Sequence, residues 1–214
     1  MPSNAFAAFR YNAVDVERLI ESHGKLHDGS PGKKGLGHIT RSGVVMLCAA
    51  WELYAESLLV EAADFLLKKC QSPTELPLEV QKELARHVRE SKHELKALAL
   101  ANDGWRTVLL AHAKLWCDGL NTPKAGPLND MFHKLIGIEK LSGCWSCGEA
   151  KVNDFVGVRG DIAHRGRYAD YIKLHELKDY LALIDQVAIE TDNAISNYIK
   201  SVSPTKRKPW NATV

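Results

Sequence analysis

The chain has 214 residues, 45% of them hydrophobic and 25% charged, with a formal net charge of +2. This length can bury a substantial core, and the mixture is that of a folded chain rather than a disordered one, favouring one domain over residues 1–200 with a short extension. So small a net charge excludes a globally basic nucleic-acid binder, and any basic site has to be local.

The amino terminus, "MPSNAFAAFRYNAVDVERL", contains no apolar run of secretory length. Val14, Leu19 and Ile20 predict a first amphipathic helix ending before Gly24. The stretch "HDGSPGKKGLG" at 27–37 reads as a Gly/Pro/Lys loop. It is Gly-rich and basic, but no strand precedes it, so the signal for a phosphate cradle is weak. Residues 40–70 read as one long helix, about 45 Å at roughly 1.5 Å per residue, the spine of a bundle. Leu47, Trp51, Tyr54, Leu58 and Ala62 form its apolar face. Glu52, Glu56, Glu61 and Asp64 interrupt it and argue against a membrane span.

After the breaker "QSPTELP", residues 78–100 predict a charged helix through "KELARHVRESKHELK". The plain reading is a solvated face with ion pairs at four-residue spacing, and the alternative is a nucleic-acid-binding surface. Further helices are predicted at 104–117, 127–136, 149–163 and 174–199, the last with Leu177, Leu181, Ile184, Val187 and Ile195 on one side. Residues 201–214, "SVSPTKRKPWNATV", read as a disordered basic tail. No alternating strand pattern stands out. The expected architecture is all-α, a bundle of about five to seven helices with a long central helix.

Three motifs carry chemistry. Cys144 and Cys147 in "CWSC" have the spacing of half a zinc site or a redox pair. No second such pair follows and no βαβ context surrounds them, so two loop thiols beside an anchoring tryptophan is the plainer reading. Glu52 and Glu56 in "WELYAE" lie one turn apart and can bind a metal or form the polar edge of the bundle. A carboxylate-bridged metal site needs Glu-x-x-His on other helices, and "HELK" at His93 has the reverse order. Five cysteines, an odd number, suit a reducing cytoplasm.

The third motif is "RGDIAHRGR", residues 159–167. An arginine offers forked donors to phosphate, and a histidine exchanges a proton near neutral pH. Arg159 with His164 therefore has the chemistry for cleaving a phosphodiester, while a helix end capped by cations is the plainer alternative. Five residues on a continuous helix turn by roughly 140° net, so the two side chains converge only if the helix opens near Ala163 or if two subunits bring their copies together.

Arg159-x4-His164 in "DFVGVRGDIAHRG" resembles the Rx4-6H signature of HEPN domains. "VVMLCAAWELYAESLL" resembles the aromatic-acidic helix of the RiboL-PSP-type HEPN subfamily. "LNTPKAGPLNDMFHKLIGIEKLS" resembles its Asn-Thr-Pro linker and the helix ending in a Gly-Ile turn, with Trp145 following. The resemblance implies a helical bundle that dimerises, with the motifs facing one another in a composite site. It implies a metal-independent endoribonuclease, of the kind found among toxins and antiviral defence systems. On that reading Arg159 and His164 are catalytic, and Arg165 and Arg167 hold the RNA backbone. No metal or other cofactor is expected. The partners would be RNA, a second copy of the chain, and an antitoxin or defence-system protein, with no membrane. Where many members carry a polar residue after the arginine, this chain has Gly160. Asp161, one place on, either does that residue's work, orienting His164, or Gly160 marks reduced activity. The alternative to an enzyme is a non-catalytic HEPN module that binds RNA or protein.

Overall fold

The computed structural model describes residues 1–26 and 35–213. Among them are seven α-helices and no strand: α1 Asn4–Leu26, α2 Gly37–Lys69, α3 Leu78–Arg89, α4 Gly104–Asp118, α5 Ala125–Ile136, α6 Glu149–Arg165 and α7 Leu174–Val202. The fold is an all-α bundle, as expected. Most of the loop expected at 27–37, and with it the weak phosphate-cradle reading, lies outside the described residues.

α2 is the spine, 33 residues or about 50 Å long. It packs against α1, α4, α5, α6 and α7, so it is buried on most sides. Its predicted apolar face is fully interior, and Val44, Cys48, Leu59, Ala63 and Leu66 on its other sides are buried too. By length and composition α2 is also apolar enough to cross a membrane, and more than half of that window is covered by the bundle.

α1 runs through Gly24 to Leu26 instead of stopping before the glycine. It buries Phe6, Phe9, Ala13 and Val16, whereas Val14 is on its exposed side. Phe9 packs on Tyr54, ring centres 5.6 Å apart, and the Tyr54 hydroxyl donates to the Ala188 carbonyl at 2.8 Å. One α2 residue thus ties α1 to α7.

α3 ends at Arg89, well short of Leu100. The charge pattern continues, but the Ser91 hydroxyl accepts the His93 N–H at 3.2 Å, a local bond that competes with helix. Only a short 3-10 segment, Lys96–Leu100, follows. The solvated-face reading holds for Glu79 with Lys82, paired at 2.7 Å, though at three-residue and not four-residue spacing. It fails for Glu83, which is buried and clasped by Arg86 and by His112 of α4.

α5 ends as its Gly-Ile turn predicts. Gly137 adopts φ +89°, and its N–H bonds back to the Phe132 carbonyl at 3.1 Å. A Cβ there would lie 2.4 Å from Pro77 Cβ. Gly137→Ala should therefore lose about 1–2 kcal/mol from the left-handed backbone alone, and more from the clash, as read by chemical denaturation.

Residues 203–213 overturn the expectation of a disordered tail. Trp210 is buried, and its indole N–H donates to the Asp192 carbonyl of α7 at 3.1 Å. The Ser196 hydroxyl donates to the Trp210 carbonyl at 2.7 Å, and the Thr213 hydroxyl to the Asp192 carboxylate at 2.9 Å. Ser3 also donates to Asp192, so both termini dock on one buried carboxylate.

Candidate active site

α6 buries one stripe, Val152, Phe155, Val156 and Ile162. Arg159 falls within that stripe, four residues after Phe155 and three before Ile162. It is therefore rooted on the inward side and only half-buried, its long stem carrying the guanidinium outward. Asp161, His164 and Arg165 lie on the solvent side and are exposed. The helix does not open near Ala163. It continues through Arg165 and stops at Gly166, which takes φ +54°. Arg159 and His164 thus leave one continuous helix in directions roughly 140° apart.

Both nevertheless border one cavity of about 730 Å³. The opposite wall is the linker before α5, contributing Thr122 and Lys124. Two hydrogen bonds fix that wall. The buried Trp51 indole donates to the Pro123 carbonyl at 3.0 Å, and the Ala125 N–H donates to Asn153 of α6 at 2.9 Å. Trp145 stacks edge-on against Trp51, ring centres 6.0 Å apart, and donates to Thr191 at 2.9 Å. Trp51, Trp145 and the Asn-Thr-Pro linker therefore form one support for the cavity rim.

The cavity carries both signs of charge, Lys124 and Arg159 against Asp154 and Asp161, with the His164 imidazole beside them. Among the described residues, Asp161 makes no hydrogen bond to His164. Arg165 and Arg167 lie just beyond the cavity, the latter in the short 3-10 segment Gly166–Tyr168, and both are exposed without an ion pair among the described residues. A Cβ at Gly160 would meet nothing within 4 Å, so no packing demands glycine at this place in the cavity wall. Lys124, Thr122 and Asn153 escaped the sequence reading as site residues. "NTPK" is visible as a linker, but only the fold places it across from α6.

The other chemical candidates stay apart. Burial pushes the Glu52 carboxyl above its usual range, and nearby Arg159 pulls it back. Burial likewise raises Glu56, helped by Glu52 and by Asp118 of α4. The Cys144 and Cys147 thiols donate to the Leu141 and Gly148 carbonyls, and burial lifts the Cys144 thiol to about 11. Among the described residues, no three or more His, Cys, Asp or Glu side chains gather where a metal ion would fit.

A helical bundle with a long aromatic-acidic spine and an Arg-x4-His motif beside a cavity defines the HEPN class. Within that class the chain belongs to the RiboL-PSP-HEPN family, whose model matches residues 12–197. No curated protein and no solved structure matches the chain.

Proposed function

We propose that the protein is a metal-independent endoribonuclease of HEPN type, acting as a homodimer in the cytoplasm. The observation that carries this reading is the cavity bordered by Arg159, His164 and Lys124, in a chain of this family. In the proposed step an RNA 2′-hydroxyl oxygen attacks the adjacent phosphorus and the bond from phosphorus to the 5′-oxygen breaks. One His164 takes the proton of the 2′-hydroxyl and a second gives one to the departing 5′-oxygen. Arg159 neutralises the charge that builds on the phosphoryl oxygens. The products carry a 2′,3′-cyclic phosphate and a 5′-hydroxyl. Lys124, Arg165 and Arg167 hold flanking phosphates, which adds affinity without sequence choice. Asp161 offsets the repulsion among cations brought together from two subunits.

The continuous helix supports the dimer. One chain supplies a single Arg159 and a single His164 pointing in different directions, too few groups for both proton transfers. A two-fold pair doubles them around one phosphate. α6 and the turn that follows it, residues 165–168, with Tyr168 92% accessible, are the surface proposed for that contact. An antitoxin or defence-system protein is the proposed regulator of such an activity. An odd set of cysteines, all of them free thiols, favours a reducing compartment.

Product analysis on a short RNA tests the chemistry. A single 2′-deoxy substitution should block cleavage at that position alone, and the fragments should end in cyclic phosphate. Cleavage on the 3′ side of the deoxy nucleotide at unchanged rate rules out 2′-hydroxyl attack. Mixing wild-type with His164→Ala protein should lower cleavage by more than the fraction of inactive chains if the site is shared, because a heterodimer carries one His164 where the step uses two. A monomer at micromolar concentration, with and without RNA, contradicts it.

A second reading rests on the absence of an Asp161–His164 hydrogen bond and on Gly160. In a lone subunit these favour a non-catalytic module binding RNA or protein through the same surface. Tight RNA binding without any cleavage is the outcome that selects it.

A further inference from the structure

The charged stretch that begins at Leu78 had a second reading, a nucleic-acid-binding surface. The structure gathers its basic end into a groove between α3 and α4, which pack on each other. Two cavities share that groove, of about 390 and 350 Å³, and His87, His112 and Trp116 border both. Arg86, Ser91 and Lys96 line the first, while Leu115 and Gly119 line the second. One end of the groove is thus polar and the other apolar.

A buried carboxylate sets its floor. Glu83 is 5% exposed, accepts from Arg86, and lies 2.7 Å from His112 Nε2. That nitrogen also lies 3.1 Å from the Trp116 indole nitrogen. It can serve only one of them: carrying a proton, it donates to Glu83 and is closed to the indole. The Trp116 N–H is then a spare donor. The His87 ring stacks on His112, centres 4.0 Å apart, and makes no hydrogen bond or ion pair among the described residues. Burial, with His112 and Lys96 beside it, lowers the His87 pKa, so the ring is uncharged near neutral pH. Lys96 forms no ion pair among the described residues. Glu90, the acid on the rim, leans on Arg89 at 3.9 Å. Free donors therefore outnumber free acceptors: the remaining N–H groups of Arg86, the Ser91 hydroxyl, the Lys96 ammonium and the indole N–H. The ligand that suits such a groove is acceptor-rich at one end and flat at the other, as a nucleotide is.

We propose that this groove is a second RNA contact, in which a base stacks on the Trp116 and His87 rings and its phosphate lies on Arg86 and Lys96. This rests on the reading of the Arg159 cavity as the cleavage site. Gly119 borders the groove and Thr122 borders the Arg159 cavity, and three residues of chain span at most about 11 Å. That is about three nucleotide steps at roughly 3.4 Å each in a stacked strand. One single strand can therefore occupy both, its scissile phosphate at Arg159 and a flanking nucleotide at Trp116. Stacking accepts any base, so the contact adds affinity and a minimum substrate length without sequence choice.

Cleavage kinetics on a dinucleotide and on a longer RNA, about ten nucleotides, test this. Trp116→Ala should raise KM for the longer RNA roughly tenfold at level kcat, with Trp116→Phe in between. Lys96→Gln, a change outside the core, should raise the same KM and lower its salt dependence by about one unit of slope. Both variants should keep the wild-type kcat/KM on the dinucleotide, which is too short to reach the groove. Equal losses on the two substrates in Lys96→Gln, or none on either, overturn the proposal. Photocrosslinking of the longer RNA carrying 5-iodouridine reads the contact without cleavage. Adducts should map to His87 or Trp116 in the wild type, and adducts confined to other segments overturn it. Adenosine monophosphate that blocks those adducts at the concentration where unlabelled RNA does would overturn RNA as the ligand in favour of a free nucleotide. If the adducts form in the groove but wild-type protein cuts no RNA, the cleavage reading fails and the RNA contact stands.

Discussion

Arg159→Ala and His164→Ala are each expected to reduce RNA cleavage by about 10²-fold or more, with the helical circular-dichroism signal unchanged. Proton transfer by a placed histidine contributes about 10²–10⁴-fold, and a fixed donor on a developing phosphoryl charge about 10²–10³-fold. His164 is exposed and makes no hydrogen bond among the described residues, so its removal costs the fold little. Arg159 differs, because it is half-buried on the inward side of α6, and its loss removes the packing of its stem as well as its charge. A small drop in melting temperature is therefore expected for Arg159→Ala and not for His164→Ala. Arg159→Lys should remain impaired, since a point charge cannot replace the planar fork on a phosphate. Initial rates on a labelled RNA, beside melting curves, separate these effects. His164→Ala cutting as fast as wild type would remove the histidine from the mechanism.

The largest stability effect is expected at the carboxyl-terminal end of the chain. Trp210→Ala should cost about 3–5 kcal/mol, a fall in melting temperature on the order of 10 °C. The indole is buried against α7 and donates to the Asp192 carbonyl, and the backbone around it is tied to Ser196, Asn193 and Met1. Asp192 is fully buried. Burial raises its carboxyl pKa, and hydrogen bonds from Ser3 and Thr213 hold it back. Losing the tail removes the Thr213 donor and leaves that carboxylate less satisfied. Trp210→Phe should fall between wild type and alanine, keeping most of the apolar contact but not the N–H. Equal melting temperatures for wild type and Trp210→Ala would show that the tail does not dock.

The same physics makes α2 legible in the sequence and hides the docking of the tail. Leu47, Trp51, Tyr54, Leu58 and Ala62 repeat along one helix, so their burial is written in local spacing. Trp210 has no such repeat. It stands among Lys, Arg and Pro, and its partner Asp192 lies on another element. α3 shows the reverse error: a charge pattern continues past Arg89, but one serine hydroxyl ends the helix. In the site, Arg159 and His164 are legible because they share one helix and a motif. Lys124 comes from another segment, and only the fold brings it to the same cavity as Arg159. The choice between a helix that opens and one that continues was likewise open to the sequence. Gly166, three residues past Ala163, is where the chain turns.

The central claim is that the Arg159–His164 cavity cuts RNA without a metal. The most direct measurement incubates purified wild-type protein with total cellular RNA in excess EDTA, beside His164→Ala. The account predicts fragmentation by the wild type alone, undiminished by the chelator, because Glu52, Glu56, Cys144 and Cys147 gather into no ligand set among the described residues. Equal fragmentation by both proteins, or activity that EDTA abolishes and added magnesium or zinc restores, would contradict it.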